Sequence, residues 1–552
     1  MPTMEIDGKQ VAWEGRKMIL QVAQDNGVEI PSYCYHPGLS IVASCRICLG
    51  EIESPDPKDP TKLVKVPKLV PTCQTPAVDG MKVWMKSAKS RANQQAVMEF
   101  LLINHPLDCP VCDQAGECYL QDYSYKYGRA ESRFLEDKAK KPKKEVGEHV
   151  LLYSDRCIMC TRCVRFTREI SGTSELAVFG RGHREEIDVF PGRPVNNPLS
   201  GNVIDICPVG ALLDKDFLFT QRVWFLKSTP SISPLTSGGE NIEIHHNEGR
   251  IYRIKPRYNQ DVNKWWISDE TRYGFGFVHS TERLRVPERL QYGSSAEITW
   301  EAAYRHAEEE LRAAAARGPG NLACILSPFD ATEEMFLQVK YARSLDPQAW
   351  IVMNPVRVEG QDQVFKNPAT GAVTFTIKAE KAPNRRGAEK VMAHFGGNVC
   401  SLAELHEKIK GKKVTGALQS SDPFPVEHVA DYKQVVTGMQ TLVRMATRRG
   451  PVYEKATVSL PTCTWAEKHG VYENFEGRVQ PFAQAIPALE DTRAVGQIVW
   501  DLLGRGVGGA GGRGFDPAAV REEMTLAGME GYAGIQEPAG TVRTDSMEFA
   551  EL

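Results

Sequence analysis

A chain of 552 residues, 42% hydrophobic and 25% charged, with a formal net charge of -3, has the composition of a globular protein of about three to four domains. The near balance of charge leaves no basic surface of the kind that neutralises phosphates, so nucleic acid is excluded as a partner. No apolar run approaches the roughly 18 residues a membrane helix needs; the start, Met1-Pro2-Thr3-Met4-Glu5-Ile6-Asp7, lacks the basic and apolar stretches of a signal peptide, so any membrane attachment is expected through partner chains.

Residues 4–14 predict a hairpin. Met4, Ile6, Val11 and Trp13 alternate around Asp7-Gly8, a strong turn dipeptide. A helical stretch from Met18 to Ala23 follows, ending near Gly27, and then the loop Ile30-Pro31-Ser32-Tyr33-Cys34. Eleven of the fourteen cysteines lie in the first 207 residues, in three groups rich in C-x2-C pairs. In a long chain that pattern favours metal ligation in a reducing compartment over disulfides. Cys34, Cys45, Cys48 and Cys73 form the first group, C-x10-C-x2-C-x24-C. The hairpin–helix–cysteine-loop order resembles the β-grasp ferredoxin fold, whose plant-type members have a shorter first gap. The resemblance implies a [2Fe–2S] cluster. Zn(Cys)4 is the alternative chemistry, and a Cys45/Cys48 redox pair fits less well because four cysteines converge here.

An amphipathic helix is expected over Asn93 to Asn104. After it come His105, Cys109, Cys112 and Cys118, spaced H-x3-C-x2-C-x5-C. Three thiolates need a fourth ligand to close a cubane, and His105 stands where one is required. A neutral imidazole in place of a thiolate makes such a site less negative. The stretch His105-Pro106-Leu107-Asp108-Cys109-Pro110-Val111-Cys112-Asp113-Gln114-Ala115-Gly116-Glu117-Cys118, with Leu120-Gln121-Asp122 after it, resembles the signature of the large iron–sulfur subunit of respiratory complex I, the NADH:quinone oxidoreductase of bacteria. Diaphorase subunits of NAD-reducing hydrogenases and NAD-dependent formate dehydrogenases share this domain.

Residues 137–145 are expected to be a charged connector. Cys157, Cys160 and Cys163 then give C-x2-C-x2-C, and Cys207, followed by Pro208, supplies a fourth thiol across 43 intervening residues. The ferredoxin-type run predicts one [4Fe–4S] cluster. Some members of the same family carry a further site, C-x2-C-x3-C-x27-C. The matching positions here are Ser233, Thr236, Glu240 and Ser268. All four thiols are replaced, so this subdomain is expected to fold without metal.

From about Arg283 helical and apolar strand-like segments alternate, which predicts α/β structure with a parallel sheet. Trp300 to Ala316 is a helix candidate; residues 321–326 and 350–353 are strand candidates. Residues 470–486 resemble a segment of molybdopterin oxidoreductases, without a recognisable molybdenum ligand. Cys324, Cys400 and Cys463 are isolated and are expected to be buried thiols. Gly506 to Gly511 matches G-x-G-x-x-G but follows a predicted helix, Val495 to Leu503, instead of a strand, so a flexible linker is expected, with the last ~40 residues as a partner-binding or disordered tail.

The fold class expected is α+β multidomain: a β-grasp ferredoxin domain (1–85), a His/Cys3 domain (86–136), a ferredoxin-like domain (146–225), a molybdopterin-oxidoreductase-type subdomain without cluster ligands (226–282), a shortened α/β domain (283–500), and a Gly-rich linker and tail (501–552). The resemblance implies an electron-transfer subunit of proton-pumping NADH:quinone oxidoreductase. Its cofactors would be one [2Fe–2S] and two [4Fe–4S] clusters, with no molybdenum cofactor. Its partners would be an FMN/NADH-binding subunit and other peripheral-arm iron–sulfur subunits, and indirectly the membrane arm. It would lie at the cytoplasmic side of the bacterial inner membrane. The alternative is a diaphorase-type subunit of an NAD-reducing hydrogenase or formate dehydrogenase.

Overall fold

The computed structural model describes the chain apart from residues 60, 424–431, 433–434, 437, 451–454, 507–513, 537 and 539–552. Its contacts divide the chain into two units. The first comprises Met1–Leu226 with Phe365–Phe375, and the second Lys227–Val364 with Thr376–Thr544.

The first unit opens with the expected hairpin. Thr3–Ile6 pairs antiparallel with Lys9–Ala12, and Asp7 and Gly8 take φ of 46° and 87°. Two successive left-handed residues are what a two-residue turn needs to match strand twist. Thr3–Ile6 also pairs parallel with Lys82–Trp84, which runs antiparallel to Leu49–Pro55. Helix Ile19–Asp25 lays Ile19, Leu20, Val22 and Ala23 against Met4, Ile6, Val11 and Trp13, so the hairpin and helix share one core. This is the β-grasp arrangement expected from the element order.

The second helix, Ala88–Leu102, starts five residues before the expected Asn93. The Ser87 side chain accepts the Ser90 N–H, and this cap fixes the start where apolar periodicity is weak. The charged connector is more structured than a solvated linker. Lys138 donates to the carbonyls of Leu102 and Ile103 at 2.8 and 2.9 Å, satisfying the end of that helix. Lys143–Glu145 pairs antiparallel with Val150–Tyr153, which is also paired with Leu212–Asp214.

The second unit carries a three-stranded antiparallel sheet (Lys227–Ile232, Asn241–Asn247, Arg250–Pro256) and a seven-stranded sheet. In the large sheet Val458–Pro461, Thr441–Ala446, Gly416–Ser420, Leu322–Leu326 and Trp350–Met353 are parallel in that spatial order. The hairpin Glu288–Gln291/Ser294–Glu297 extends it antiparallel. Leu322–Leu326 is buried at every residue, and the core clusters on its two sides differ. Burial on both faces explains why these strands are continuous apolar runs without alternation. Helix Trp300–Ala315, capped by Thr299, matches the expected segment.

Helix Val495–Gly506 runs three residues past its expected end, and the rest of the proposed Gly-rich linker lies outside the described residues. Reading 501–552 as linker and tail misses helix Pro517–Leu526, whose Val520 and Met524, with Met529 and Tyr532, join the core of the large sheet. Asp516 at the cap and Pro517 at the first helical position start it.

Candidate cluster-binding sites

The first unit gathers each of the three cysteine groups. Cys34, Cys48 and Cys73 are buried and Cys45 is half-buried. The Cys45 thiol donates to Cys34 and the Cys73 thiol to Cys48, so the pairs meet side by side. Cys34 is held down at about 5 by the Cys45 hydrogen bond, and Cys48 at about 7 by Cys73. Their donors, Cys45 and Cys73, are pushed well above the ordinary thiol range by those same hydrogen bonds first and by burial second. Ala43 and Arg46 both adopt left-handed φ, 51° and 60°. These sparsely populated conformations fold the 43–46 loop back so that the N–H groups of Ser44 and Cys45 reach the Cys34 sulfur.

In the second group Cys109 begins a 3-10 turn, Cys109–Val111, and is exposed, whereas Cys112 and Cys118 are buried. Burial pushes Cys118 up to about 12, and the nearby Cys112 and Cys109 add to the shift. Cys118 stands at the N-cap of helix Tyr119–Tyr127 without a side-chain cap hydrogen bond, and its thiol faces the Pro208 carbonyl at 4.0 Å. A Cβ at Gly210 would lie 2.3 Å from the Cys112 sulfur, so only glycine admits Cys112 at that point. Burial, reinforced by Arg156 and Lys138, lowers His105 to about 4. Its imidazole is therefore neutral at physiological pH, the form that can ligate a metal. Arg156, which acts on both His105 and Cys112, donates twice to Asp108, at 3.1 and 2.7 Å, and lies 3.9 Å over the Tyr153 ring.

Cys157, Cys160, Cys163 and Cys207 line one cavity of about 350 Å³, counted with its open mouth; apolar residues such as Leu152, Ile187 and Val209 complete the wall. Met159 and Thr161 have φ of 52° and 60°, so the chain reverses twice between successive cysteines and aims three thiols at one space. The Met159 N–H donates to the Cys157 sulfur at 3.4 Å, and Val209, Ala211 and Leu212 supply N–H groups to Cys207. Burial pushes Cys157 up to about 12 and Cys160 to about 11, and Cys163 well above the ordinary thiol range. Such thiols stay protonated until a metal displaces the proton. Among the described residues no three His, Cys, Asp or Glu side chains converge on a single-ion position.

The Ser233, Thr236, Glu240 and Ser268 positions are compact and buried. The Ser268 N–H and hydroxyl donate to the Glu240 carboxyl at 2.9 Å each, and Ser233 Oγ meets Thr271 Oγ1 at 2.7 Å. Hydrogen bonds between oxygen-bearing side chains fill the space among these four positions. Cys324, Cys400 and Cys463 are buried as expected, with thiols raised by burial. Sequence reasoning missed three buried arginines, Arg156, Arg162 and Arg165. Their only signal is position: Arg162 sits between two cysteines and Arg165 two residues after the third.

Fold and sites define a class: a subunit whose leading part is a series of ferredoxin-type cluster-binding domains. Family comparisons assign residues 2–88 to a 2Fe-2S iron-sulfur cluster binding domain and 94–133 to the NADH-ubiquinone oxidoreductase-G iron-sulfur binding region. Residues 147–213 match the ferredoxin-like domain of NADH-quinone oxidoreductase subunit 3, residues 226–276 the NDSU1/NuoG-like 4Fe-4S domain, and residues 421–505 molybdopterin oxidoreductase. The chain is 42% identical over 312 residues to the NADH-ubiquinone oxidoreductase 75 kDa subunit of Reclinomonas americana (56% of this chain, 43% of that protein). It is 43% identical over 289 residues to the mitochondrial NADH dehydrogenase [ubiquinone] iron-sulfur protein 1 of Solanum tuberosum (52% and 37%). It is also 36% identical over 337 residues to a NADH-quinone oxidoreductase subunit of the bacterium Rickettsia felis (61% and 48%). Over these domains the chain is similar to the large iron–sulfur subunit of NADH:quinone oxidoreductase. The matches span less than half the length of those three relatives. A chain of a NAD+-reducing [NiFe]-hydrogenase is similar at 26% identity, covering 40% of this chain and 91% of that one with a TM-score of 0.35.

Proposed function

We propose that this chain is the electron-transfer subunit of a proton-pumping NADH:quinone oxidoreductase, receiving electrons from FMN in a partner subunit and passing them towards quinone. In this reading Cys34, Cys45, Cys48 and Cys73 hold a [2Fe–2S] cluster. His105, Cys109, Cys112 and Cys118 hold a [4Fe–4S] cluster, and Cys157, Cys160, Cys163 and Cys207 a second. When bound, such clusters supply one-electron couples whose potentials follow net charge, hydrogen bonds to sulfur and exposure.

The polypeptide does the rest. Loop N–H groups orient the sulfurs, burial keeps water from most of them, and the low proton affinity of His105 leaves its imidazole free to ligate. The 226–276 segment holds no cluster, because serine, threonine and glutamate oxygens already satisfied by hydrogen bonds offer iron no soft donor. The reading assigns no molybdenum cofactor; Cys463, the thiol within the molybdopterin-type segment, is buried and lies 3.7 Å from the Thr492 hydroxyl. Among the described residues no helix is long and apolar enough to cross a membrane. The chain would then sit at the cytoplasmic side of the bacterial inner membrane, held by its partners.

The single observation that supports this reading is that one compact unit contains all three cysteine groups. Purification from native membranes in mild detergent tests it. The expected preparation contains an FMN subunit, membrane-embedded subunits and no molybdenum, and the chain separated from these partners contains ten irons, two from one cluster and four from each of the others, with acid-labile sulfide. Copurification with a soluble hydrogenase or a molybdenum dehydrogenase overturns the respiratory role. A colourless, zinc-containing protein overturns the cluster assignment.

A further inference from the structure

Arg162 and Arg165 are 6% and 3% exposed and stand on helix Arg162–Glu169. Arginine stays charged at any physiological pH, and a buried charge is costly unless something opposite in sign compensates it. Among the described residues neither guanidinium forms an ion pair with a carboxylate. The nearest candidate, Glu169, is engaged elsewhere: its carboxylate accepts from Ser40 at 2.9 and 2.6 Å and from Arg168 at 2.9 Å. The Nε atoms of both arginines are buried without a hydrogen-bond partner.

What the two side chains reach is backbone, and it belongs to two different cysteine sites. Arg165 Nη2 donates to the Cys34 carbonyl at 2.5 Å and to the Cys160 carbonyl at 3.3 Å, and Nη1 donates to the Ser40 carbonyl. Arg162 Nη2 donates to the Tyr35 carbonyl at 2.6 Å and Nη1 to the Ile206 carbonyl at 3.2 Å. Each arginine therefore spans from the Cys34 loop to the Cys157–Cys207 site. Two parallel bridges place two fixed positive charges between two thiol sets and away from water.

We propose that Arg162 and Arg165 are positioning residues that act as a shared counter-charge for the Cys34–Cys73 and Cys157–Cys207 sites, favouring the reduced state of both. The inference rests on the proposed cluster assignment. Four thiolates already give a site negative charge, and each one-electron reduction adds another. A positive charge held in a low-dielectric interior acts on both sites and is screened little by salt.

The test is an EPR-monitored redox titration of the full chain with both sites loaded, comparing wild type with Arg165→Gln, Arg165→Lys, Arg162→Gln and Arg162→Lys. Each glutamine variant is expected to lower the midpoint potentials of both sites together. The shift should be at least tenfold in the reduction equilibrium, 59 mV for a one-electron couple. The lysine variants should retain most of the wild-type potential. Unchanged potentials in glutamine variants with intact signals overturn the proposal, as do equal shifts in glutamine and lysine variants. Where a glutamine variant fails to load, loading decides: lysine loading without glutamine loading supports the charge, and failure of both overturns it. A wild-type chain without the two EPR signals would instead refute the cluster assignment itself.

Discussion

Ser268 donates its N–H and its hydroxyl to the Glu240 carboxyl, and caps helix Asp269–Tyr273 through the Thr271 N–H. Burial raises Glu240 to about 7 from an ordinary 4.5, against the pull of the Ser268 hydrogen bonds. A folded pKa above the unfolded one means that the fold prefers the neutral acid. Its contribution to stability is complete below about 4.5 and is lost as pH rises through about 7. Glu240→Gln keeps an acceptor for Ser268 and is neutral at every pH. It is expected to leave stability nearly unchanged at pH 5 and to raise it at pH 8. The ceiling is about 3 kcal/mol, at 1.36 kcal/mol per pKa unit. Urea midpoints at the two pH values check this, and an equal effect at both would show that Glu240 is not titrating in this window.

At the scale of elements, the Cys207–Leu212 loop packs on the Cys109–Cys118 loop through an absent side chain. A Cβ at Gly210 would meet Cys112 Sγ at 2.3 Å and Gln114 Cβ at 3.1 Å. A free thiol could swing aside, but a ligand cannot. Gly210→Ala is expected to cost about 1–3 kcal/mol, the range for overpacking, and to remove the four irons of the His105 site while the other two sites stay loaded. Iron analysis and EPR read this directly, and full iron content in the variant would show that Cys112 is free to move. The grouping of the cysteines was legible in the sequence because it is local: Cys157, Cys160 and Cys163 need only short turns between them. The β-grasp hairpin was legible because Asp7-Gly8 selects one turn. The start of the helix at Ala88 was not, since a Ser87 cap outweighs apolar periodicity there. Helix Pro517–Leu526 was hidden by the glycine-rich stretch before it. The roles of Arg162 and Arg165 could not be read, because their acceptors Tyr35 and Cys34 lie 127 and 131 residues away in the chain.

Across the whole molecule the two units answer pH in opposite directions. In the second unit burial raises Asp330, Asp422 and Glu240 each to about 7, with Lys468 partly offsetting the shift at Asp330 from 3.6 Å. All three contribute stability that is full at low pH and lost as pH rises towards 7. His246 and His279 oppose them, since burial lowers both and their neutral forms gain as pH rises through 6.5. The carboxyl shifts are the larger, so the second unit is expected to lose stability between pH 5 and 7.5. In the first unit the thiols must deprotonate to hold metal, so acid releases it and cluster retention rises over the same range. Six of the nine tryptophans lie in the second unit, at positions 265, 266, 300, 350, 465 and 500. Tryptophan fluorescence therefore follows mainly the second unit, and visible absorbance follows the clusters of the first. The fluorescence midpoint is expected to fall by about 2 °C for each kcal/mol lost while the bleaching midpoint climbs. Two midpoints that move together would mean that the units do not unfold as separate thermodynamic bodies, and that the buried acids of one are compensated within the cooperative unfolding of both.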